Sequence, residues 1–348
     1  MDNTFAIRLV NARKIRCMSQ RELSNALQGQ ISPSAIEKYE KGLMMPSSNV
    51  LILLSKALNM KLDYFFRPFT VAIDTSKFEF RKSASMGAKR VESIKHLVCA
   101  EIEKYIEIES ILGNTTSFSL DYSNFMVEGE NEAKLMAQRF RNNLQIGSDA
   151  IVSAVELLES YGVKIIEIDH DNKFFGTCNT AGTIPVIVIN QNMSSERKRI
   201  TIFHELGHLL MHCAEGVDKE KMCTIFANEV LIPSDKFINI LGASRQDISL
   251  IELQAIQREY GISVDALMAK AAQLNIITQR RYTSYYKKKN VVASFKEAVE
   301  TSLYPMEHTN RFERLVYRAL ASEVISYSKA ASLLNISVNE VRNTLNLM

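Results

Sequence analysis

The sequence predicts an α+β protein that is mostly helical and contains more than one domain. Its 348 residues exceed what one ordinary hydrophobic core organises. Most apolar positions recur at helical spacing, and several of these stretches begin with a capping box, such as Ser19 with Glu22 and Ser337 with Glu340. Two short runs rich in β-branched residues, VKIIEID and PVIVIN, lie near the middle of the chain and predict strands of a small mixed sheet.

Composition limits the location and partners of the chain. The 42 basic and 39 acidic residues nearly balance, but residues 1–66 hold nine basic and five acidic side chains, so a positive excess of four is concentrated there. The five cysteines are scattered and odd in number, which fits a reducing compartment. No apolar run reaches the roughly 20 residues of a membrane span, and the start lacks a signal peptide core. We therefore expect a cytoplasmic protein with no membrane partner.

The first 66 residues contain the start and stop signals of two short helices. One helix begins at the Ser19 capping box and stops near Gly29; the next begins at Ser32-Pro33 and ends at Gly42. Two short helices joined by a tight turn form a helix-turn-helix motif, whose second helix enters the major groove of DNA. The stretch therefore predicts a DNA-binding domain.

This stretch resembles the Cro/cI-like (XRE) helix-turn-helix family. The likeness is carried by SQRELSNAL, ISPSAIEKYEKGLMMPSSNVLILLSKAL and LDYFF. The resemblance implies a five-helix domain that binds operator DNA. A homodimer is compatible with this mode of binding. By the resemblance Gln20 anchors a phosphate, and the residues of the recognition helix that face DNA are Ser32, Ser34, Glu37 and Lys38. The alternative is a small helical bundle used for protein contacts or dimerisation.

The middle of the chain alternates helical and strand patterns. KFEFRK predicts a short strand, VESIKHLVCAEIEKYIEIESILG a connecting helix, and the polar GNTTSFSLDYSN a loop at a domain boundary. Beyond it we predict the helices NEAKLMAQRFRNNLQIG and DAIVSAVELLESYG, the two strands, and the helix SSERKRITIFHELGHLLMH with Ser194 or Ser195 as its cap.

The sequence HELGH, residues 204–208, carries the chemistry. Histidines four apart on a helix project from the same face, so His204 and His208 can converge on one metal ion. A catalytic zinc site needs a third protein ligand and an open position for water, and Glu205 would act as the base that accepts the proton of this water. The alternative is a pair of partly buried histidines hydrogen-bonded to the backbone.

The surroundings of this motif resemble the ImmA/IrrE family of zinc peptidases across about residues 130–235. The matching stretches are IPVIVIN, RKRITIFHELGHLLMH and EKMCTIFANEVLIP. The resemblance implies a zincin-like α+β peptidase domain in which Glu220 is the third zinc ligand. Glu215 and Asp218 are rival ligands in the preceding loop. Alternatively, Glu220 is only an acidic residue that stabilises the amino end of its helix.

Several nearby features allow two interpretations. His212 is expected to point away from the metal, and Cys213 and Cys223 could bind zinc only in a closed, structural type of site. IPVIVIN is either an edge strand that binds an extended peptide or an ordinary core strand. The carboxyl-terminal helices RFERLVYRALASEVISYSKAASLLNISVNEVRNTLNLM are expected to be a packing element, with a second helix-turn-helix as the alternative.

Together these patterns predict a helix-turn-helix domain at 1–66, a connecting strand and helix at 67–125, a zinc peptidase domain at 126–275 and a helical region at 276–348. The resemblances imply a site-specific zinc endopeptidase that cleaves a helix-turn-helix repressor and is brought to it by its own DNA-binding domain. The alternative is a transcriptional regulator or antitoxin whose zinc-site domain senses or binds a partner without proteolysis.

Overall fold

The computed structural model describes residues 3–69, 87–113, 118, 125–169, 174–181 and 184–346. Over these residues the chain forms seventeen α-helices, one 3₁₀ helix and five short strands, which confirms the mostly helical α+β class. The predicted strand KFEFRK lies outside the described residues. None of the described helices is long and apolar enough to cross a membrane.

Two compact units make up the chain. The first contains Met1–Thr116, Thr180–Gly182 and Asn310–Met348, and the second contains Ser117–Asn179 and Thr183–Thr309. The carboxyl-terminal helices thus share a unit with the amino-terminal ones. The predicted domain boundaries near residues 66, 125 and 275 stay predictions.

The first unit begins with the predicted five-helix arrangement. Its elements are α1 (Thr4–Ile15), α2 (Gln20–Ala26), α3 (Pro33–Glu40), α4 (Ser48–Leu58) and a 3₁₀ helix (Leu62–Phe66). The Ser19–Glu22 capping box forms, Ser32 caps α3, and both Gly29 and Gly42 adopt positive φ as predicted. A buried core that includes Leu9, Leu23, Ile36, Leu54 and Phe65 holds these helices together.

A long helix, α5 (Ala88–Leu112), connects both ends of this unit. On one side, buried Glu103 accepts from the guanidinium of Arg8 on α1. On the other side, α5 packs against α15 (Arg311–Ala321), followed by α16 (Tyr327–Leu334) and α17 (Val338–Asn346). These last helices share a buried cluster with the end of α5, as the packing interpretation predicts.

The second unit places helices around a small mixed sheet. Its early elements are β1 (Met126–Val127), α6 (Glu130–Asn143), α7 (Ala154–Ser160), β2 (Lys164–Ile168), β3 (Gly176–Ala181), β4 (Ile184–Asn190), α8 (Ser195–Leu210), β5 (His212–Cys213) and α9 (Lys219–Leu231). Five helices follow: α10 (Ser234–Leu241), α11 (Leu250–Tyr260), α12 (Val264–Gln273), α13 (Gln279–Val291) and α14 (Ala293–Glu300). The strand order is β2-β4-β3, and β1 pairs separately with β5.

The structure decides one open alternative and differs from the sequence prediction in two details. IPVIVIN forms β4, which lies between β2 and β3 and runs parallel to β2, so it is a core strand and not an edge strand. The helix predicted over DAIVSAVELLESYG begins only at Ala154, because Ser153 caps it by accepting from the Glu156 amide. Strand β3 was not predicted, since its sequence GTCNTA lacks the apolar run of its neighbours.

Buried charges fix the first turns of α8 within the second unit. Glu307 accepts from the backbone amides of Ala154 and Val155 and pairs with Arg199 of α8. Glu196, also on α8, accepts from the Leu303 amide and the Ser302 hydroxyl. These contacts hold α8 in the position from which its later turns present the HELGH residues.

Candidate metal centre

Helix α8 presents both histidines of the motif on one face. Ser194 caps the helix by accepting from the Arg197 amide, and the helix is continuous from Ser195 to Leu210. The imidazole rings of His204 and His208 lie 5.2 Å apart between centroids, and both side chains are largely buried. The spacing of four residues therefore brings the two rings together, as predicted.

Helix α9 brings a carboxylate to these rings. Asp218 caps α9 by accepting from the Lys221 amide, which places Glu220 in the first turn. One carboxylate oxygen of Glu220 lies 3.3 Å from Nε2 of His208, and the other lies 3.7 Å from Nε2 of His204. The Glu220 side chain is 61% exposed, so the cluster opens toward solvent on this side.

The three side chains fit a metal ion. Each offers one ligand atom, and these atoms all lie within 4.8 Å of one another. Two ligands at about 2.1 Å from a tetrahedral ion stand about 3.4 Å apart, close to the observed spacings. Two imidazole nitrogens and one carboxylate also form the ligand set of many open, catalytic zinc sites. His204, His208 and Glu220 could therefore hold a divalent metal.

The rival ligands named from sequence lie outside this cluster. Over the described part of the chain, no second group of three metal-binding side chains meets the same distance limit. Asp218 is engaged as the cap of α9, and His212 is exposed on β5. The remaining rivals, which are also not in the cluster, are Glu215, Cys213 and Cys223.

A threonine that was not predicted orients one histidine. The Thr224 hydroxyl donates to the Glu220 carbonyl oxygen at 2.9 Å, so its single proton is used there. Its oxygen lies 3.2 Å from Nδ1 of His204 and can accept a hydrogen bond from that nitrogen. In the tautomer that carries its proton on Nδ1, Nε2 of His204 has a free lone pair that can bind a metal. The sequence signal was a polar side chain one helical turn after Glu220.

Small residues allow the close packing that builds the site. A Cβ placed on Gly207 would lie 3.3 Å from the Cα of Cys223 and 2.9 Å from the Cε of Met211, so α8 and α9 touch backbone to backbone here. A Cβ on Gly176 of β3 would lie 2.6 Å from the Cγ2 of Thr201 and 3.5 Å from the Cγ of Glu205. Glu205 is only 3% exposed, and strand β3 lies directly against it.

The residues predicted to contact DNA lie in the first unit. Ser34, Glu37 and Lys38 are exposed on α3, and the hydroxyl of Ser32 accepts from the Ala35 amide at the start of that helix. Three of these residues lie on α3 and Ser32 is its cap, while their contacts with DNA stay a prediction.

Gln20 is positioned differently, at the start of α2. Its side-chain amide donates to Glu40 at 2.7 Å, and the same carboxylate pairs with Arg13. This network fixes α2 against α3. Arg13 and Glu40 are structural partners that sequence reasoning did not single out.

These observations define two functional regions, a helix-turn-helix DNA-binding region and a peptidase-type domain with a candidate metal site. Comparison with protein families agrees. A peptidase family M78 model, described as the IrrE N-terminal-like domain, matches residues 158–271, and a model described as helix-turn-helix matches residues 11–65. Residues 11–65 are thus similar to a helix-turn-helix and residues 158–271 to an IrrE-like peptidase domain, which confirms both predicted resemblances. A comparison with curated proteins found no match.

Proposed function

We propose that this protein is a zinc-dependent, site-specific endopeptidase that cleaves a helix-turn-helix repressor and is localised by its own DNA-binding domain in the cytoplasm. The observation that carries this proposal is the convergence of His204, His208 and Glu220. Glu205, the neighbour of His204 in the motif, is buried. The match of the M78 family to residues 158–271, which include all four side chains, supports the same reaction class.

The proposed mechanism assigns each residue one role. His204, His208 and Glu220 would hold zinc, which when bound would polarise a peptide carbonyl and lower the pKa of water. Thr224 keeps the proton of His204 on Nδ1. Glu205 takes the proton from the attacking water at its carboxylate and returns it to the amine that leaves.

The DNA-binding role assigns different tasks to α2 and α3. Gln20 anchors a phosphate near the start of α2, while Ser32, Ser34, Glu37 and Lys38 face the major groove from α3. The net positive charge of residues 1–66 supports this role. Binding at an operator would concentrate the peptidase beside a repressor bound to the same region.

The test is cleavage of candidate repressors encoded beside the gene of this protein. Full-length, zinc-loaded protein should cut one of them at a single site. The Glu205→Gln variant should lose cleavage while retaining zinc, and Glu215→Gln, a nearby acid outside the cluster, should cut normally. Cleavage that persists after Glu205→Gln contradicts the assigned mechanism.

The same experiment distinguishes the peptidase function from the regulatory alternative. If the protein holds zinc and shows salt-sensitive operator binding but leaves every repressor intact, it acts as a DNA-binding regulator. In that binding assay, Lys38→Ala should weaken operator affinity, whereas an exposed lysine outside the helix-turn-helix, such as Lys296, should tolerate the change to alanine.

A further inference from the structure

The last two helices of the first unit, α16 and α17, repeat the layout of its helix-turn-helix. In the amino-terminal motif, Ser19 caps α2 and Ser32 caps α3. At the carboxyl end, Ser326 caps α16 and Ser337 caps α17 in the same way, with the hydroxyl accepting from the amide three residues later. In both places a capped helix of seven or eight residues is therefore followed by a second capped helix.

The turns and the buried positions of the two pairs also match. The ninth residue after each first cap is left-handed, with φ of 55° at Gln28 and 56° at Asn335. Four residues after each second cap lies a fully buried apolar side chain, that of Ile36 or Val341. The carboxyl-terminal turn is two residues shorter than the amino-terminal one. Helices α16 and α17 thus have the spacing of a second helix-turn-helix.

Contacts within the first unit hold this second pair in place. The Lys61 ammonium, just before the 3₁₀ helix, donates to the carbonyl oxygen of Ala331 at 2.5 Å and to that of Ile336. The carboxylate of Asp63 accepts from the hydroxyl of Ser332. These contacts are made to α16 and the turn, so they fix the pair without covering the exposed face of α17.

The exposed face of α17 carries side chains that suit the edges of DNA bases. Apart from Glu340, the exposed residues from the cap through the first two turns are Ser337, Asn339, Arg342 and Asn343. Counted from the capping serine, they occupy the same positions as the four residues of α3 that are proposed to contact DNA. In the major groove, asparagine can pair with adenine, arginine with guanine and serine with several bases.

Charge on this face is compatible with DNA. Glu340, the single acid in α17, accepts from the Ser337 amide at 2.6 Å, so its carboxylate is held at the start of the helix. The Arg342 guanidinium lies 5.5 Å from the centroid of the Tyr327 ring, a contact that uses none of its N–H donors. Residues 310–346 hold five basic and three acidic side chains, so this region has a net positive charge.

We propose that α17 is a second DNA recognition helix, which contacts base pairs in the major groove through Asn339, Arg342 and Asn343. This role goes beyond the proposed function, which places DNA contacts only in residues 1–66, and it does not depend on the peptidase reaction. A single chain then carries two recognition helices, α3 and α17. Its preferred DNA sequence should contain base pairs whose identity depends on α17.

The first test measures affinity for a duplex that the full-length protein itself selects from a library of random duplex DNA. Arg342→Ala removes one bidentate base contact and should weaken binding of the selected duplex by about 5- to 100-fold. Arg258→Ala is the matched control, because Arg258 is an exposed arginine on α11 of the second unit, and it should bind within about twofold of the original protein. Fluorescence anisotropy measures binding, and circular dichroism checks that each variant is folded.

The second test separates base recognition from charge attraction by repeating the selection with variants. Arg342→Lys keeps the charge but loses the bidentate geometry, so it should relax the preference for guanine at one position of the selected sequence. Asn343→Ala should relax the preference for adenine at a neighbouring position. Lys38→Ala on α3 should weaken binding and leave both of these preferences in place.

Several outcomes would overturn the proposal. Unchanged affinity and unchanged base preference in Arg342→Ala would show that α17 does not contact DNA, as expected if its exposed face binds a protein. An equal loss of affinity for every sequence would limit Arg342 to phosphate contact. A selection by the original protein that enriches no sequence would exclude base recognition altogether. None of these outcomes affects the peptidase function, which Glu205→Gln tests separately.

Discussion

The Thr224 hydroxyl on α9 lies 3.2 Å from Nδ1 of His204 on α8 and thereby fixes which nitrogen of that ring can bind a metal. Thr224→Val keeps the shape of the side chain and removes this contact, so zinc affinity should fall by about 10- to 100-fold. Competition with a chromophoric chelator measures the affinity. Thr224→Ser retains the hydroxyl and should bind zinc within about threefold of the original protein. Equal affinity in the valine and serine variants would contradict this role.

Contact between α8 and α9 at Gly207 should control the stability of the second unit. Gly207→Ala introduces a methyl group within 3.3 Å of Cys223 and should lower the free energy of unfolding by about 1–3 kcal/mol. Urea unfolding followed by circular dichroism measures the change. Gly129→Ala is the matched control, since the added methyl would meet only Glu132 at 3.5 Å. Similar losses in both variants would show that the close approach is unimportant.

Buried and exposed ion pairs between α1 and α5 should differ in their contribution to stability. Glu103 and Arg8 form a buried pair, whereas Glu92 and Lys14 form a partly exposed one. Glu103→Ala leaves a buried arginine without its carboxylate and should cost about 3–5 kcal/mol of unfolding free energy, against less than about 1 kcal/mol for Glu92→Ala. Denaturant titration measures both. Equal costs would contradict the burial argument.

Glu196 should make the stability of the second unit depend on acidic pH. Burial raises the pKa of this carboxyl, but hydrogen bonds from Ser302, Gln257 and the Leu303 amide outweigh it and hold the pKa below its usual value of 4.5. Because the pKa of Glu196 is lower in the folded protein than in the unfolded one, its ionised carboxylate stabilises the fold fully above pH 4.5. This stabilisation is lost as the pH falls further.

The variant that tests this pH dependence is Glu196→Gln, whose side chain cannot ionise. Its melting temperature should be lower than that of the original protein at neutral pH, and the gap should narrow as pH falls from about 5 to about 3. Thermal scans across this range measure the gap. A gap that stays constant or widens in acid would refute the assigned shift.

Local signals explain why much of the fold was predictable. The Ser19 capping box, the Ser32-Pro33 start and the positive φ of Gly29 and Gly42 depend on a few neighbouring residues, so the sequence shows them directly. The convergence of His204 and His208 likewise follows from the helical repeat alone.

Nonlocal contacts explain what sequence analysis missed. Strand β3 is stabilised by pairing with β4 rather than by an apolar pattern of its own, and the central position of β4 depends on both neighbours. The roles of Thr224 and Gln257 arise only when other helices bring their partners close. The association of α15 with α5 joins segments about 200 residues apart, as in the contact of Arg311 with Glu109.

Zinc content of the purified full-length protein tests the metal centre most directly. After dialysis against metal-free buffer, mass spectrometry should find about one zinc ion per chain in the original protein and below about one tenth of that in His208→Ala. His212→Ala, which changes a histidine outside the cluster, should retain the full zinc content. An unchanged zinc content in His208→Ala, or no zinc in the original protein, would contradict the proposed site.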